Sequence, residues 1–448
     1  MCGQTSGEPL RSAPLKASTS KLLALWGVAL VVACRDKSAG QGSRVELAEP
    51  TATSRAAPSA SSATATAFYA DRYSKKPYVP DVMALGRALF FDPTLSASRQ
   101  MSCATCHDPH FAYGPPNDRS TQLGGPKLKD VGLRAAPSLR YLQTVPRFSE
   151  HYFEEAVDES VDQGPTGGHT WDGRADTLHD QARLPLTSPL EMANESLDSV
   201  VAKVEKADYA QRFRSTFGDD VFGEPARASS AVLLALEAFQ QSPADFYPYT
   251  SRYDAYLRKK AELSAREQRG LSLFNDPQKG NCAHCHPSQI RSNGFPQFTD
   301  FGFVALGVPR NLAIPNNQDS SFFDLGLCGP LRTDLTSHRE YCGMFRAPTL
   351  RNVALRKAFF HNGVFHTLRE VMQFYVQRDT TAAKWFPHAG GHVEAFDDLP
   401  AELRRNVDRE PPLDRKPGQA PALNSAEIDD VIAFLNTLTD EDQIANKL

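Results

Sequence analysis

Apolar residues recur at helical spacing along most of the chain, and strand-like alternation is scarce. Ile428, Val431, Ile432, Leu435 and Leu438 form a stripe behind Asn424-x-x-Glu427, which reads as the start of a last helix. Ser264-x-x-Glu267 and Thr367-x-x-Glu370 carry the same capping-box signal. Behind the latter, Leu368, Val371, Met372 and Tyr375 follow i, i+3, i+4, i+7, so one helix face carries all four and is expected to be buried. Residues 224–241 supply another helical stretch, and Pro- and Gly-containing loops fill the remainder. The expected fold class is all-α.

Two segments depart from this pattern. Residues 22–33 are an apolar run preceded by Arg11, Lys16 and Lys21, too short for a comfortable transmembrane helix, so residues 1–34 read as an export signal. The run ends Val31-Val32-Ala33-Cys34, similar to a bacterial lipobox in which Cys34 would be lipidated; an ordinary cleavage site is the alternative. Residues 35–67 are Ala, Ser, Thr and Pro with few large apolar side chains, a composition that cannot form a core and reads as a flexible linker.

The rest is organised by an internal repeat. Leu85-Gly86-Arg87-Ala88-Leu89-Phe90-Phe91-Asp92-Pro93 leads into Cys103-Ala104-Thr105-Cys106-His107. Arg269-Gly270-Leu271-Ser272-Leu273-Phe274-Asn275-Asp276-Pro277 leads into Cys282-Ala283-His284-Cys285-His286. Each half is a helix stopped near Asp-Pro, a loop, then a Cys pair. Two similar domains follow, over 68–260 and 261–448.

Charge and cysteine content narrow the function. A net charge of −4 over 448 residues, without a basic stripe, excludes a nucleic-acid surface. Four of the eight cysteines sit in the two pairs. Cys328 and Cys342 are left over; in an oxidising compartment they close a disulfide loop, and otherwise they are two buried thiols.

Cys-x-x-Cys-His is the attachment sequence of c-type haem: two thiols add to the vinyl groups of one porphyrin, and the adjacent His ligates iron. Eight Cys and 12 His in 448 residues give about 0.004 such motifs by chance, and the chain has two. A four-sulfur zinc site is the competitor; the His after each pair and the export signal favour two covalently bound haem c groups. Cys103, Cys106, Cys282 and Cys285 would carry them, with His107 and His286 as proximal ligands.

The chain resembles the bacterial di-haem cytochrome c peroxidases and their MauG-type relatives from about Pro80 onward. The landmarks are the Leu85–Pro93 stretch, Trp171-Asp172-Gly173-Arg174-Ala175-Asp176, Pro189-Leu190-Glu191-Met192, Ala347-Pro348-Thr349-Leu350-Arg351-Asn352-Val353 and Phe360-His361-Asn362-Gly363. The resemblance implies a periplasmic haem-dependent oxidoreductase that binds hydrogen peroxide at the N-terminal haem and shares oxidising equivalents with the C-terminal one. Trp171 matches the residue between the haems, Glu191 the distal carboxylate that moves protons, and Gln181 and Pro185 residues lining the peroxide pocket. His361 matches a residue beside a haem propionate. Its partners would be a periplasmic electron-donor protein or an oxidisable protein substrate. A non-catalytic electron-transfer cytochrome is the alternative.

Departures from the family pattern carry information. The loop that holds a capping histidine in ordinary peroxidases reads Gly124-Gly125-Pro126-Lys127-Leu128-Lys129-Asp130 here, and His110, His151 and His169 are out of register. The N-terminal haem is therefore expected to be open without prior reduction. Where typical peroxidases place an axial Met, this chain has Tyr375, the MauG-type ligand, with Met372 as rival one turn away. A phenolate oxygen favours the higher iron oxidation states. The family's interdomain calcium is in question: Ala135 stands where its side-chain ligand belongs, and Arg356 and Ala358 would supply the backbone carbonyls.

Overall fold

Eight helices of two turns or more carry most of the regular structure of the computed structural model, which describes residues 73–153, 161–290 and 294–445. The export signal, Cys34 and the linker lie outside the described residues. The helices are α1 (Val79–Phe91), α2 (Leu178–Thr187), α3 (Leu197–Val204), α4 (Ala210–Phe217), α5 (Pro225–Gln240), α6 (Ala265–Asn275), α7 (Leu368–Gln377) and α8 (Ser425–Asn436). Strands are confined, among the described residues, to three two-stranded antiparallel pairs. The first pairs β1 (Leu123–Gly124) with β2 (Asp130–Val131). The molecule is mainly helical.

Local chemistry sets the helix ends. The Ser264, Thr367 and Asn424 side chains accept from the backbone N–H of Glu267, Glu370 and Glu427, and each Glu returns the bond, completing the three capping boxes. Pro225 opens α5, where its missing N–H costs nothing. In α8, Ile428, Val431 and Leu435 are buried as the stripe predicts, whereas Ile432 is half-buried and Phe434 takes the core position. The helix turns Phe434 inward because its aromatic partners Tyr253, Phe274 and Phe298 lie on that side.

Buried apolar side chains form two main clusters. One runs from Tyr73 to Phe246 and the other from Tyr253 to Leu438. Each is organised by a close helix crossing. A Cβ on Gly86 of α1 would lie 1.8 Å from the Ala235 carbonyl oxygen and 2.7 Å from Phe239 Cβ of α5. A Cβ on Gly270 of α6 would lie 2.0 Å from the Asp430 carbonyl oxygen and 2.9 Å from Phe434 Cβ of α8. Only glycine permits either approach. Four residues beyond each glycine, Phe90 and Phe274 are fully buried.

The two clusters are tied by buried charges. Arg134 pairs with Asp172 at 2.7 Å and with Asp324 at 2.7 Å. Arg140 reaches Asp440 and Asp442, and Gln443 accepts from the Ala112 N–H at 2.8 Å, so the C-terminal turn docks on the N-terminal cluster. Cys328 and Cys342 form a disulfide, which decides between the two readings of that pair. Among the described residues, no helix is long and apolar enough to cross a membrane.

Candidate active site

Cys103–Cys106 is a single helical turn capped by Ser102, and it delivers His107 to a tight loop. Ala112 and Tyr113 both adopt the left-handed backbone region, φ 53° and 54°. That conformation is uncommon for side-chain-bearing residues. Here it turns the Tyr113 carbonyl onto His107 Nδ1 at 3.1 Å, and the Pro137 backbone also acts on the ring. Burial holds His107 down at about 4, with the Arg356 charge contributing, so the ring is neutral and competent as a ligand. In the second site His286 Nδ1 lies 2.7 Å from the Phe298 carbonyl, and burial again brings the imidazole to about 4. All four paired cysteines are free thiols that burial pushes up to about 12. Among the described residues no three His, Cys, Asp or Glu converge as a metal cluster, so the two pairs do not build a shared four-sulfur site. Free thiols beside a neutral imidazole fit covalent haem at each motif.

The second site opens into the principal cavity. Its wall brings together Cys282, Cys285, His286, His361 and the complete Leu368, Val371, Met372, Tyr375 face of α7. The expected face is thus real, but of the four only Met372 is fully buried, because the face lines the cavity. Phe374 and Val376 on the other side of α7 fill the core. Burial, with smaller contributions from Cys285 and Cys282, raises the Tyr375 phenol well above its ordinary value. A neutral phenol is what this apolar wall favours; a bound cation would be needed to ionise it. His361 stacks flat on Phe345, with ring centroids 3.5 Å apart, and its Nε2 is 3.4 Å from Asp398 Oδ2.

Glu191 sits in the turn that follows α2. Pro185 lies inside α2 and lacks the N–H that would bond the Gln181 carbonyl, so the helix loosens at that level. The Pro185 carbonyl accepts instead from Met192 N–H at 3.1 Å, which folds the turn back against the helix. Met192 is buried in the first core, and the neighbouring Glu191 keeps accessible surface. The residue is exposed overall, and partial desolvation of its carboxyl raises its pKa against the pull of Arg174 and a hydrogen bond from Ser188. Its charge in turn acts on Cys103 and Cys106. Gln181 and Pro185, four residues apart, share the α2 face that feeds this turn.

The β1–β2 hairpin holds the turn from the other side. Gly125 N–H donates to the Glu191 carbonyl at 2.8 Å. A Cβ on Gly124 would come within 2.1 Å of the Leu190 carbonyl oxygen and 2.7 Å of Glu191 Cα. The loop without a histidine is therefore a closed hairpin braced on Glu191. His110 and His151 pair with Asp108 and Asp162 on the surface, and His169 is buried with its N–H bonded to the Ala175 carbonyl.

Trp171 lies at the boundary of two cavities. The principal cavity and a smaller one lined by Ala112 and Gly114 of the His107 loop and by Pro137 share Trp171, Arg346, Pro348, Thr349 and Arg356. Trp171 Nε1 donates to the Ala135 carbonyl at 2.7 Å, and Ala135 N–H donates to the His361 carbonyl at 2.7 Å. Ala135 therefore links Trp171 to the second site through its backbone. Sequence reasoning missed the frame behind this link. Asp172 is fully buried and bonded to Arg134, Arg174 and Thr170, and Arg346 Nη1 donates to the Gly168 carbonyl at 2.6 Å. The only sequence hint was the position of Asp172 inside Trp-Asp-Gly-Arg.

Residues 80–262 match the family described as Di-haem cytochrome c peroxidase. Over 372 residues the chain is 32% identical to the methylamine utilization protein MauG of Paracoccus denitrificans, covering 80% of this chain and 88% of that protein. The chain belongs to the di-haem cytochrome c peroxidase family. It is accordingly a haem-dependent oxidoreductase acting on hydrogen peroxide, and a purely electron-transferring cytochrome is not favoured. Among solved structures, the diheme peroxidase BthA from Burkholderia thailandensis E264 superposes with a TM-score of 0.72 at 40% identity, covering 82% of this chain and 88% of that one. A MauG-like protein associated with microbial copper homeostasis superposes with a TM-score of 0.57 at 28% identity, covering 83% and 95%.

Proposed function

We propose that this chain is a MauG-like periplasmic di-haem peroxidase built from two cytochrome domains related by duplication. Its N-terminal site would react with hydrogen peroxide, and its C-terminal site would share the oxidising equivalents. Cys103 and Cys106 would hold one haem, with His107 as an iron ligand; Cys282 and Cys285 would hold the other, with His286 and Tyr375 as side-chain ligands. When bound, the haem irons supply the place where peroxide binds and the capacity to exchange single electrons.

The protein's own residues do the rest. Glu191 receives a proton from the bound peroxide oxygen and returns it to the oxygen that leaves as water, a task that requires a carboxylate able to change protonation near the working pH. Its raised pKa suits it to that exchange. Gln181 would offer an amide donor and acceptor to the site, and Pro185 inside the same helix would line it. Trp171, on the wall common to both cavities, is an oxidisable indole suited to passing electrons between them. Electrons finally come from a periplasmic donor protein or from the side chains of a protein substrate. Tyr375 favours the protein substrate, because an oxygen ligand supports the oxidised states. Calcium between the domains is not part of this reading, since Arg356 bonds the Ala358 carbonyl itself. The Cys328–Cys342 disulfide is in keeping with an oxidising periplasm.

The observation that carries the proposal is Glu191 braced by the β1–β2 hairpin within electrostatic reach of Cys103 and Cys106. Stopped-flow mixing of fully oxidised protein with hydrogen peroxide is the test. A fast spectral change before any reductant is added is expected; a protein inert until reduced overturns the open-site reading.

A further inference from the structure

The wall common to both cavities holds two cations with no task in the mechanism above, Arg346 and Arg356. Arg356 is half-buried on that wall, and desolvation there brings its guanidinium down to about 10. Of the arginines nearby, Arg134 pairs with Asp172 and Asp324, Arg140 with Asp440 and Asp442, and Arg351 with Asp254, whereas Arg346 donates to the Gly168 carbonyl with the Asp172 charge acting on it. Arg356 pairs with none among the described residues. Its Nη2 donates instead to the carbonyls of Ala358, at 3.1 Å, and Ala136, at 3.3 Å. Those acceptors come from distant parts of the sequence, so the guanidinium also bridges the two halves.

Burying a guanidinium without a counter-charge is unfavourable, and two neutral carbonyls use only part of its five N–H donors. A fold keeps such a group where an anion arrives to complete it. Arg356 lines both cavities, and its charge already acts on His107 but not on His286. The anion those cavities would receive is a carboxylate, the acidic edge of a haem.

We propose that Arg356 is a positioning residue that binds a haem carboxylate at the junction and fixes a positive charge beside His107, raising the reduction potential of the haem on Cys103 and Cys106. A positive charge stabilises the reduced, less positive iron, and the effect weakens with distance, so the haem on Cys282 and Cys285 responds less. This rests on the two-haem reading above.

Potentiometric titration of the holoprotein, following both haems optically, tests it on the parent, Arg356→Gln, Arg356→Met and Arg356→Lys. Either neutral variant should shift the one-electron equilibrium of the His107-side haem tenfold or more towards the oxidised state, a fall of about 59 mV. The second haem should move less, and Lys should restore most of the shift. An unchanged potential in the neutral variants overturns the proposal. So does an equal fall with Lys, which would assign the effect to geometry rather than charge. Peroxide reactivity plays no part in this readout. A protein that purifies without two haems would instead overturn the reading on which the proposal stands.

Discussion

Around Cys103 to His107 the approaching segment is polar and braced: Glu191 on its turn, Gln181 and Pro185 on α2, Arg174 nearby, and the glycine hairpin behind. Around Cys282 to His286 the wall is apolar, and α7 presents Leu368, Val371, Met372 and Tyr375. Beneath both lies one device, a helix crossing closed at a glycine with a buried phenylalanine one turn on. The crossing fixes where a Cys pair and its histidine stand. On the reading proposed above, what they can do is decided by the segment near them, a carboxylate turn in one case and a phenol-bearing helix in the other.

The sharpest way to break this contrast is Glu191→Gln. Peroxide consumption is expected to slow by about 10²–10⁴-fold, with both haem absorbances retained; a rate within threefold of the parent would remove the carboxylate from the chemistry. The parent rate should fall as pH drops through a pKa above the ordinary glutamate value of 4.5, because the base is then protonated. The variant should lack that limb.

Asp172→Asn comes next. Burial opposes ionisation of Asp172, yet Arg134 and then Arg174 hold it at about 2 against an ordinary 3.8. Its folded pKa is depressed, so its contribution is complete above about pH 4 and is lost as pH falls through 2. Removing the charge should cost about 3–5 kcal/mol in denaturant unfolding at pH 7, and the variant should lose less stability than the parent between pH 4 and 2. Equal acid sensitivity in both proteins would contradict the assignment.

Gly86→Ala and Gly270→Ala probe the common device. Each should lose roughly 1–3 kcal/mol through overpacking against a backbone carbonyl. A loss at one site alone would show that the two crossings are not equivalent. Tyr375→Phe should have the smallest global effect, altering the spectrum of the C-terminal haem and leaving the other unchanged; no spectral change would shift the ligand to Met372.

Periodicity and capping chemistry made much of the helical frame legible, because both are local. The attachment motifs were readable because their spacing is fixed, while Glu191 and Tyr375 entered as expectations from the family resemblance. The frame behind them was not. Arg134 meets Asp324 across 190 positions, Arg356 meets Ala136 across 220, and Ala135 joins Trp171 to His361 through backbone atoms that carry no side-chain signature. The α7 face was right in register and wrong in degree of burial, since apolar periodicity cannot distinguish a packed core from the wall of a cavity.

Electron paramagnetic resonance of the fully oxidised protein bears most directly on the contrast between the two sites. One high-spin ferric haem, at the Glu191 side, and one low-spin ferric haem, ligated by His286 and Tyr375, is the predicted spectrum. Two low-spin signals would mean that a side chain closes the first iron, and the account would fail.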